Sequence, residues 1–253
     1  DNHGIISNNW YDKKLKETIY CVDDDNYKTV GNDGYVGKKS PHRLYTTTIT
    51  DQLQLAQNMQ GKTIGISIKD RSAILPVGHT ANAAYWFDDK QVGQWISSTY
   101  YMNELPNWVK KINASDTFEN YLSKPWNTFL DIDKYTNSHE DDNRYEDPFE
   151  GSEKPTFPHN IQNLRDENKN FLLIRLTPFG NSLTTDFAIQ AIENEQLGKS
   201  DYTDFLAISY TSTDEVGHRF GPNSIELEDT FVRLDRDIER LLNHLDKSVG
   251  KNN

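Results

Sequence analysis

The sequence predicts an α/β fold whose mostly parallel sheet is flanked by helices, and three observations carry that prediction. Three short apolar runs lack the alternation of half-exposed strands. Helical patterns lie between and after them, and the last helix shows one long apolar stripe. With 253 residues the chain is long enough for one large domain of this class or two small ones.

In chain order, "TDQLQLAQNMQ" (50–60) opens on a Thr-Asp start and reads as a helix. "KTIGISI" (62–68) is the first apolar run, and its unbroken hydrophobicity fits a strand covered on both faces. "NFLLIRL" (170–176) is predicted as the second buried strand and "DFLAISY" (204–210) as the third. "TTDFAIQAIENEQLG" (184–198) reads as the helix joining the last two, with Gly198 as its stop. In the final helix Leu227, Phe231, Leu234, Ile238, Leu241 and Leu245 recur at spacings of four and three. Asn223 and Glu226 have capping-box spacing at its start.

The middle differs. Residues 109–168 include "SHEDDNRYEDPFEGSEKPTFPHN", dense in acid, Pro and Gly and poor in aliphatics. The organisation expected is therefore a first part of the core over 1–108, an insertion or cap over 109–168 and a second part of the core over 169–253.

Composition excludes some partners. Charges of 27 basic and 39 acidic residues leave a net of −12, spread along the chain, which repels polyanions. No nucleic-acid binding is expected; a small anionic substrate needs locally concentrated positive charge. Cys21 is the single cysteine, so no internal disulfide can form, and in "TIYCVDDD" it reads as a small buried hydrophobe. No apolar run approaches the ~18 residues of a membrane span. No signal peptide is visible, and the chain opens on Asp1.

Three constellations could carry chemistry. Asp214 and His218 stand at one-turn spacing just beyond the run 204–210, where ligands gather in parallel sheets. A carboxylate with an imidazole suits zinc and similar ions, and Gly217 between them allows a turn or a close approach; the alternative is a surface pair in a loop. In "SIKDRSAILPVGH", Lys69 and Arg71 follow the run 62–68 and are the main local positive charge. They read as a phosphoryl grip or as a solvated loop. In "HGIISNNWYD", Asn8 or Asn9 could donate an amide N–H to an oxyanion, or Asn-Asn is an ordinary turn.

Taken together, "HGIISNNWYD", "SPHRLYTTTITDQLQLA", "GISIKDRSAILPVGH", "YWFD", "STYYMNELPNWV", "TPFGN" and "DEVGHRFGPNS" resemble, in order, a branch of the alkaline phosphatase superfamily. The branch is the periplasmic bacterial type with a Lys-x-Arg clamp, similar in its core to type I phosphodiesterases and nucleotide pyrophosphatases. The similarity runs from residue 3 to about 245, apart from the acidic middle.

The resemblance implies a zinc-dependent hydrolase of phosphate monoesters, with two Zn²⁺ per full-length site and a threonine nucleophile, in the periplasm or secreted. It implies that Lys69, Arg71 and Asn8 bind phosphate and that Asp214 and His218 bind one zinc. The family's nucleophile lies upstream of the matching Asn and its remaining ligands downstream of the last helix. The chain is therefore expected to be an internal fragment with an incomplete core, inactive alone. The alternatives are a phosphodiesterase or nucleotide pyrophosphatase on the same core, and a non-catalytic anion-binding domain.

Overall fold

A computed structural model of the chain describes residues 2–251. The chain divides into two compact units. The first comprises 1–88, 94–113 and 191–209, and the second 89–93, 114–190 and 210–253.

The first unit opens with a hairpin of β1 (Asn9–Asp12) and β2 (Glu17–Tyr20), paired antiparallel so that Asn9 faces Tyr20. Next come β3 (Thr29–Val30), α1 (Ile49–Ala56), β4 (Thr63–Ser67), α2 (Asp70–Ile74), β5 (Ala83–Asp88), β6 (Gln94–Ser98), α3 (Asn107–Asn113) and, far along the chain, β7 (Phe205–Ser209). The strands other than the hairpin form one sheet in the order β3-β6-β5-β4-β7. β4 pairs parallel with both β5 and β7, as the apolar runs 62–68 and 204–210 predict; β6 and β3 extend the sheet antiparallel. β4 and β5 are buried at every position, which explains why neither alternates in sequence.

The predicted helix at 50–60 is α1. Thr48 caps it in a capping box with Asp51, and it stops where Asn58 and Met59 adopt left-handed φ values of 52° and 61°. Asp51 is buried, and its Oδ1 also accepts from the His79 and Thr80 backbones and the Thr80 hydroxyl. The hydrophobic core gathers Cys21, Val22, Ala73, Ile74, Val77, Ala84, Trp86 and Ile96. α2 lies flush on β4 because β4 has glycine at position 65: a Cβ there would collide with the carbonyl oxygen of Ala73.

The second unit is mainly helical, with α4 (Thr117–Leu122), α5 (Ile161–Leu164), most of α6 (Phe179–Asn194), α7 (Ser212–Phe220) and α8 (Ile225–Ser248). The run 170–176 corrects the sequence prediction: it is not a strand but a 3-10 helix over Asn170–Ile174. Short apolar runs do not separate a strand from a buried helical turn. Here left-handed Lys169 and Asn170 turn the chain, while Leu173, Ile174 and Leu176 are buried. α6 accordingly joins no second strand to a third. It starts at Phe179, five residues earlier than predicted, and ends before Gly198, whose φ is +72°.

α8 is the predicted last helix, with two differences. Its cap is Ser224, whose hydroxyl accepts from the Leu227 amide, rather than Asn223. Its apolar stripe is also only partly covered. Leu241 is buried, but Phe231 is 55% exposed and Ile238 39%. The helix buries three acids instead. Glu226 pairs with His159 at 2.8 Å, and Asp237 accepts from the Ser182 hydroxyl. Asp229 accepts from Trp126 Nε1, Phe129 N, Tyr135 Oη and Arg233 Nε. His159 sits among the rings of Trp126, Phe149, Phe157 and Phe220. The acidic middle is ordered against this unit's helices, with His139 N on Asn223 O and Asp147 N on Arg219 O.

Candidate active site

In the first unit, Lys69 is the N-cap of α2 and Arg71 lies in its first turn, just beyond the carboxyl end of β4. Ser67 pins that end: its hydroxyl donates to Ser209 O on the neighbouring β7 (3.0 Å) and accepts from Lys69 N. The turn has little freedom because α2 starts at Asp70 and is seated against Gly65. Both cations therefore emerge where parallel strands direct their ligands.

Arg71 is not held by a direct ion pair to its neighbour Asp70. Its Nη1 donates to the Tyr20 hydroxyl oxygen at 3.1 Å, and that hydroxyl donates to Asp70 Oδ1 at 2.5 Å. Asp70 Oδ1 also accepts from the Arg71 amide, while Asp70 Oδ2 has Lys39 Nζ at 3.8 Å. Lys39 lies 5.1 Å from the Tyr20 ring centroid and is paired with Asp23. Burial pushes the Tyr20 hydroxyl far above its usual value, and Asp70 adds to the rise. Burial works against the Arg71 charge, but the Tyr20 hydrogen bond and Asp70 outweigh it and the pKa goes up. The guanidinium is a fixed cation.

The hairpin brings the Asn8 segment to the same place. Cys21 N donates to Asn8 O at 2.9 Å, so Asn8 lies beside the Tyr20–Cys21 step while its own side chain is exposed. Cys21 is buried, and burial first, then Asp70, pushes its thiol up to about 11. It is an inert core residue. Tyr20 is the residue that sequence reasoning missed: it sits 50 positions from Asp70, and nothing local marks it.

In the second unit, α7 carries Asp214 and His218 on one exposed face, with His218 Nε2 3.3 Å from Asp214 Oδ1. Buried Val216 and Phe220 anchor the opposite face. The Asn181 side chain fixes the start of the helix, accepting from Ser212 N and donating to the Thr213 hydroxyl. Gly217 forms no turn. It is helical, and a Cβ there meets Leu227 at an ordinary 3.5 Å. The pair fits zinc: ligand bonds near 2.0–2.2 Å in a tetrahedron place two donors ~3.3 Å apart. Two donors do not close a site, and among the described residues no group of three or more His, Cys, Asp or Glu could hold a metal.

The family model described as type I phosphodiesterase / nucleotide pyrophosphatase matches residues 1–253. The chain is 52% identical over 253 residues to a calcium-transporting ATPase of Myroides odoratus and 51% over 251 to alkaline phosphatase PhoV of Synechococcus elongatus. It is 48% identical over 252 residues to alkaline phosphatase PafA of Elizabethkingia meningoseptica. The matches cover 99% of this chain but 46%, 45% and 46% of these relatives, so the chain spans about half their length. The crystal structure of wild-type PafA agrees with a TM-score of 0.94 at 47% identity, covering 98% of this chain and 48% of that one. A PafA mutant changed at a threonine, an asparagine, and a lysine and arginine two positions apart matches with the same TM-score.

Proposed function

The chain belongs to the type I phosphodiesterase / nucleotide pyrophosphatase family within the alkaline phosphatase superfamily, and from that premise we propose that it is part of a zinc-dependent alkaline phosphatase hydrolysing phosphate monoesters. The observation that carries the reading is the Lys69–Arg71 pair, held rigidly at the carboxyl end of β4 in a protein of net charge −12. Two cations two positions apart suit a doubly charged phosphoryl group. The lysine and arginine changed together in the PafA mutant support carrying the pair over.

In this reading the Asn8 amide donates to one phosphoryl oxygen, and the Arg71 fork and the Lys69 ammonium grip the others. Positioning and charge stabilisation supply most of the rate. The nucleophile is a threonine outside these 253 residues: its oxygen bonds to phosphorus as the ester P–O bond breaks and the alcohol leaves, and water then hydrolyses the phospho-threonine to inorganic phosphate and free threonine. Asp214 and His218 hold one of two zinc ions, together with ligands outside the chain. When bound, zinc supplies Lewis-acid stabilisation of the attacking and leaving oxygens. The substrate is a small phosphate ester, and the location is the periplasm or outside the cell. No helix among the described residues is long and apolar enough to cross a membrane.

A phosphodiesterase on the same core is the second reading, favoured by the family model's own description. The clamp argues for the monoester, because a diester carries one charge for the two cations to meet. The terminal phosphate of a nucleoside triphosphate presents the same dianion, so ATP hydrolysis by the 52% relative fits the same grip. A non-catalytic anion-binding domain is the third reading.

The full-length protein carrying this chain should release p-nitrophenol from p-nitrophenyl phosphate, lose activity to a chelator and recover it with zinc. Activity indifferent to metal removal sinks the proposal. A higher kcat/KM on bis(p-nitrophenyl) phosphate reverses the order of the first two readings. No turnover, with phosphate still bound, leaves the third.

A further inference from the structure

Resting on the clamp reading above, we propose that Tyr20 is a positioning residue for Arg71, holding the guanidinium off its own neighbour Asp70 so that its fork faces the phosphoryl group. An arginine beside an aspartate in sequence, at the start of a helix, has an obvious wrong partner. A bidentate Arg–carboxylate pair is strong and would turn the fork toward Asp70. The structure interposes a hydroxyl. Tyr20 donates to Asp70 and accepts from Arg71, so one of the guanidinium's five N–H groups is spent on a neutral oxygen. Asp70 is occupied from three other directions: the Tyr20 hydroxyl, the Arg71 amide and, at longer range, Lys39.

The tyrosine is itself fixed. It ends β2 opposite Asn9, packs against the Cys21–Val22–Trp86 core and carries the Lys39 ammonium near its ring. Its hydroxyl stays protonated through the alkaline range, since burial and Asp70 both oppose ionisation. The donor to Asp70 therefore persists where an alkaline phosphatase works. A phenylalanine keeps the ring and the packing but removes both hydrogen bonds. Arg71 is then free to turn onto Asp70.

The test measures kcat and KM for p-nitrophenyl phosphate in the full-length protein carrying this chain. The variants are Arg71→Ala, Tyr20→Phe, the two combined, and Tyr20→Phe with Asp70→Asn. Arg71→Ala is expected to lower kcat/KM about 100-fold or more. Tyr20→Phe should lower it about ten-fold, yet add under about two-fold to Arg71→Ala, because both act through one group. Asp70→Asn removes the competing charge and should return most of the Tyr20→Phe loss. A merely structural tyrosine gives neither the coupling nor the recovery.

Wild-type kcat/KM in Arg71→Ala brings down the clamp reading itself. An Arg71→Ala defect beside a silent Tyr20→Phe, an additive double variant, or no recovery by Asp70→Asn overturns the Tyr20 role alone. If thermal melts show that Tyr20→Phe does not fold, Tyr20→His keeps a ring with a donor and an acceptor. Folded Tyr20→His should hold kcat/KM within about two-fold of wild type, and a larger loss that is additive with Arg71→Ala is equally fatal.

Discussion

His159 Nε2 and Glu226 Oε1 lie 2.8 Å apart, with both side chains shut off from water. Burial pushes the Glu226 carboxyl up to about 8 from 4.5 and the His159 imidazole down to about 4 from 6.5. Between those limits the folded pair holds one proton. The unfolded pair also holds one between 4.5 and 6.5, on the histidine, so this site gives no slope there. Above 6.5 the unfolded pair holds none while the folded pair still holds one, so stability falls as pH rises from 6.5 to 8. Below 4.5 the unfolded pair holds two, and stability falls again as pH drops.

The alkaline limb amounts to about 2 kcal/mol for a shift of this size. Glu226→Gln carries no proton to lose and should abolish that limb's contribution. The parent's melting midpoint should therefore fall relative to the variant's between pH 6.5 and 8.5. Parallel decline in both rules out the pair as the source.

Gly65→Ala should destabilise the first unit by about 1–3 kcal/mol, because the new methyl and the Ala73 carbonyl cannot occupy the same space. α2 must back away from β4, carrying the Lys69–Arg71 turn with it. Denaturant unfolding reads the stability, and a raised KM for monoester substrate reads the displaced turn. An unchanged midpoint would mean that α2 moves without cost.

At the start of α8, Ser224→Ala should cost about 1 kcal/mol, since the Leu227 amide loses its acceptor. Asn223→Ala should stay within about 0.5 kcal/mol. Chemical denaturation of the two variants separates the observed cap from the one suggested by sequence spacing. Equal losses would contradict the assignment.

Asp214 and His218 are 57% and 75% exposed, so removing either should leave stability within about 0.5 kcal/mol. Zinc affinity of the full-length protein, measured by competition with a chromophoric chelator, should fall at least ten-fold for Asp214→Ala and for His218→Ala. Affinity equal to that of the parent would take both residues out of the metal site.

What sequence reveals here depends on how far apart the partners are. β4 and β7 were legible because each is a short run whose apolar character is its own signal, although β4 is buried at every position and β7 only half-buried along its length. Lys69 and Arg71 follow directly from β4, so their place at the carboxyl end of that strand was legible too. The run 170–176 misled because burial of Leu173, Ile174 and Leu176 makes the same apolar string as a strand, and the left-handed step at Lys169 and Asn170 has no glycine to mark it. The buried acids of α8 were hidden for the opposite reason. Asp229 reads as a surface residue until Trp126 and Tyr135, about a hundred positions away, are seen to donate to it. Tyr20 belongs to the same class: its meaning lies in Asp70 and Arg71, not in "TIYC".

The pairing of β4 with β7 joins Ser67 to Ser209 across 142 positions. A ribosome adding 5–20 residues per second needs roughly 7–30 s to make that much chain. Throughout that interval one edge of a strand destined to be buried at every position has been synthesised while its neighbour does not yet exist. The tempo of translation and the availability of holding chaperones therefore bear on the yield of this sheet. Slowing elongation between the two strands lengthens the exposure, and speeding it shortens the time in which "TIGIS" can find the wrong partner.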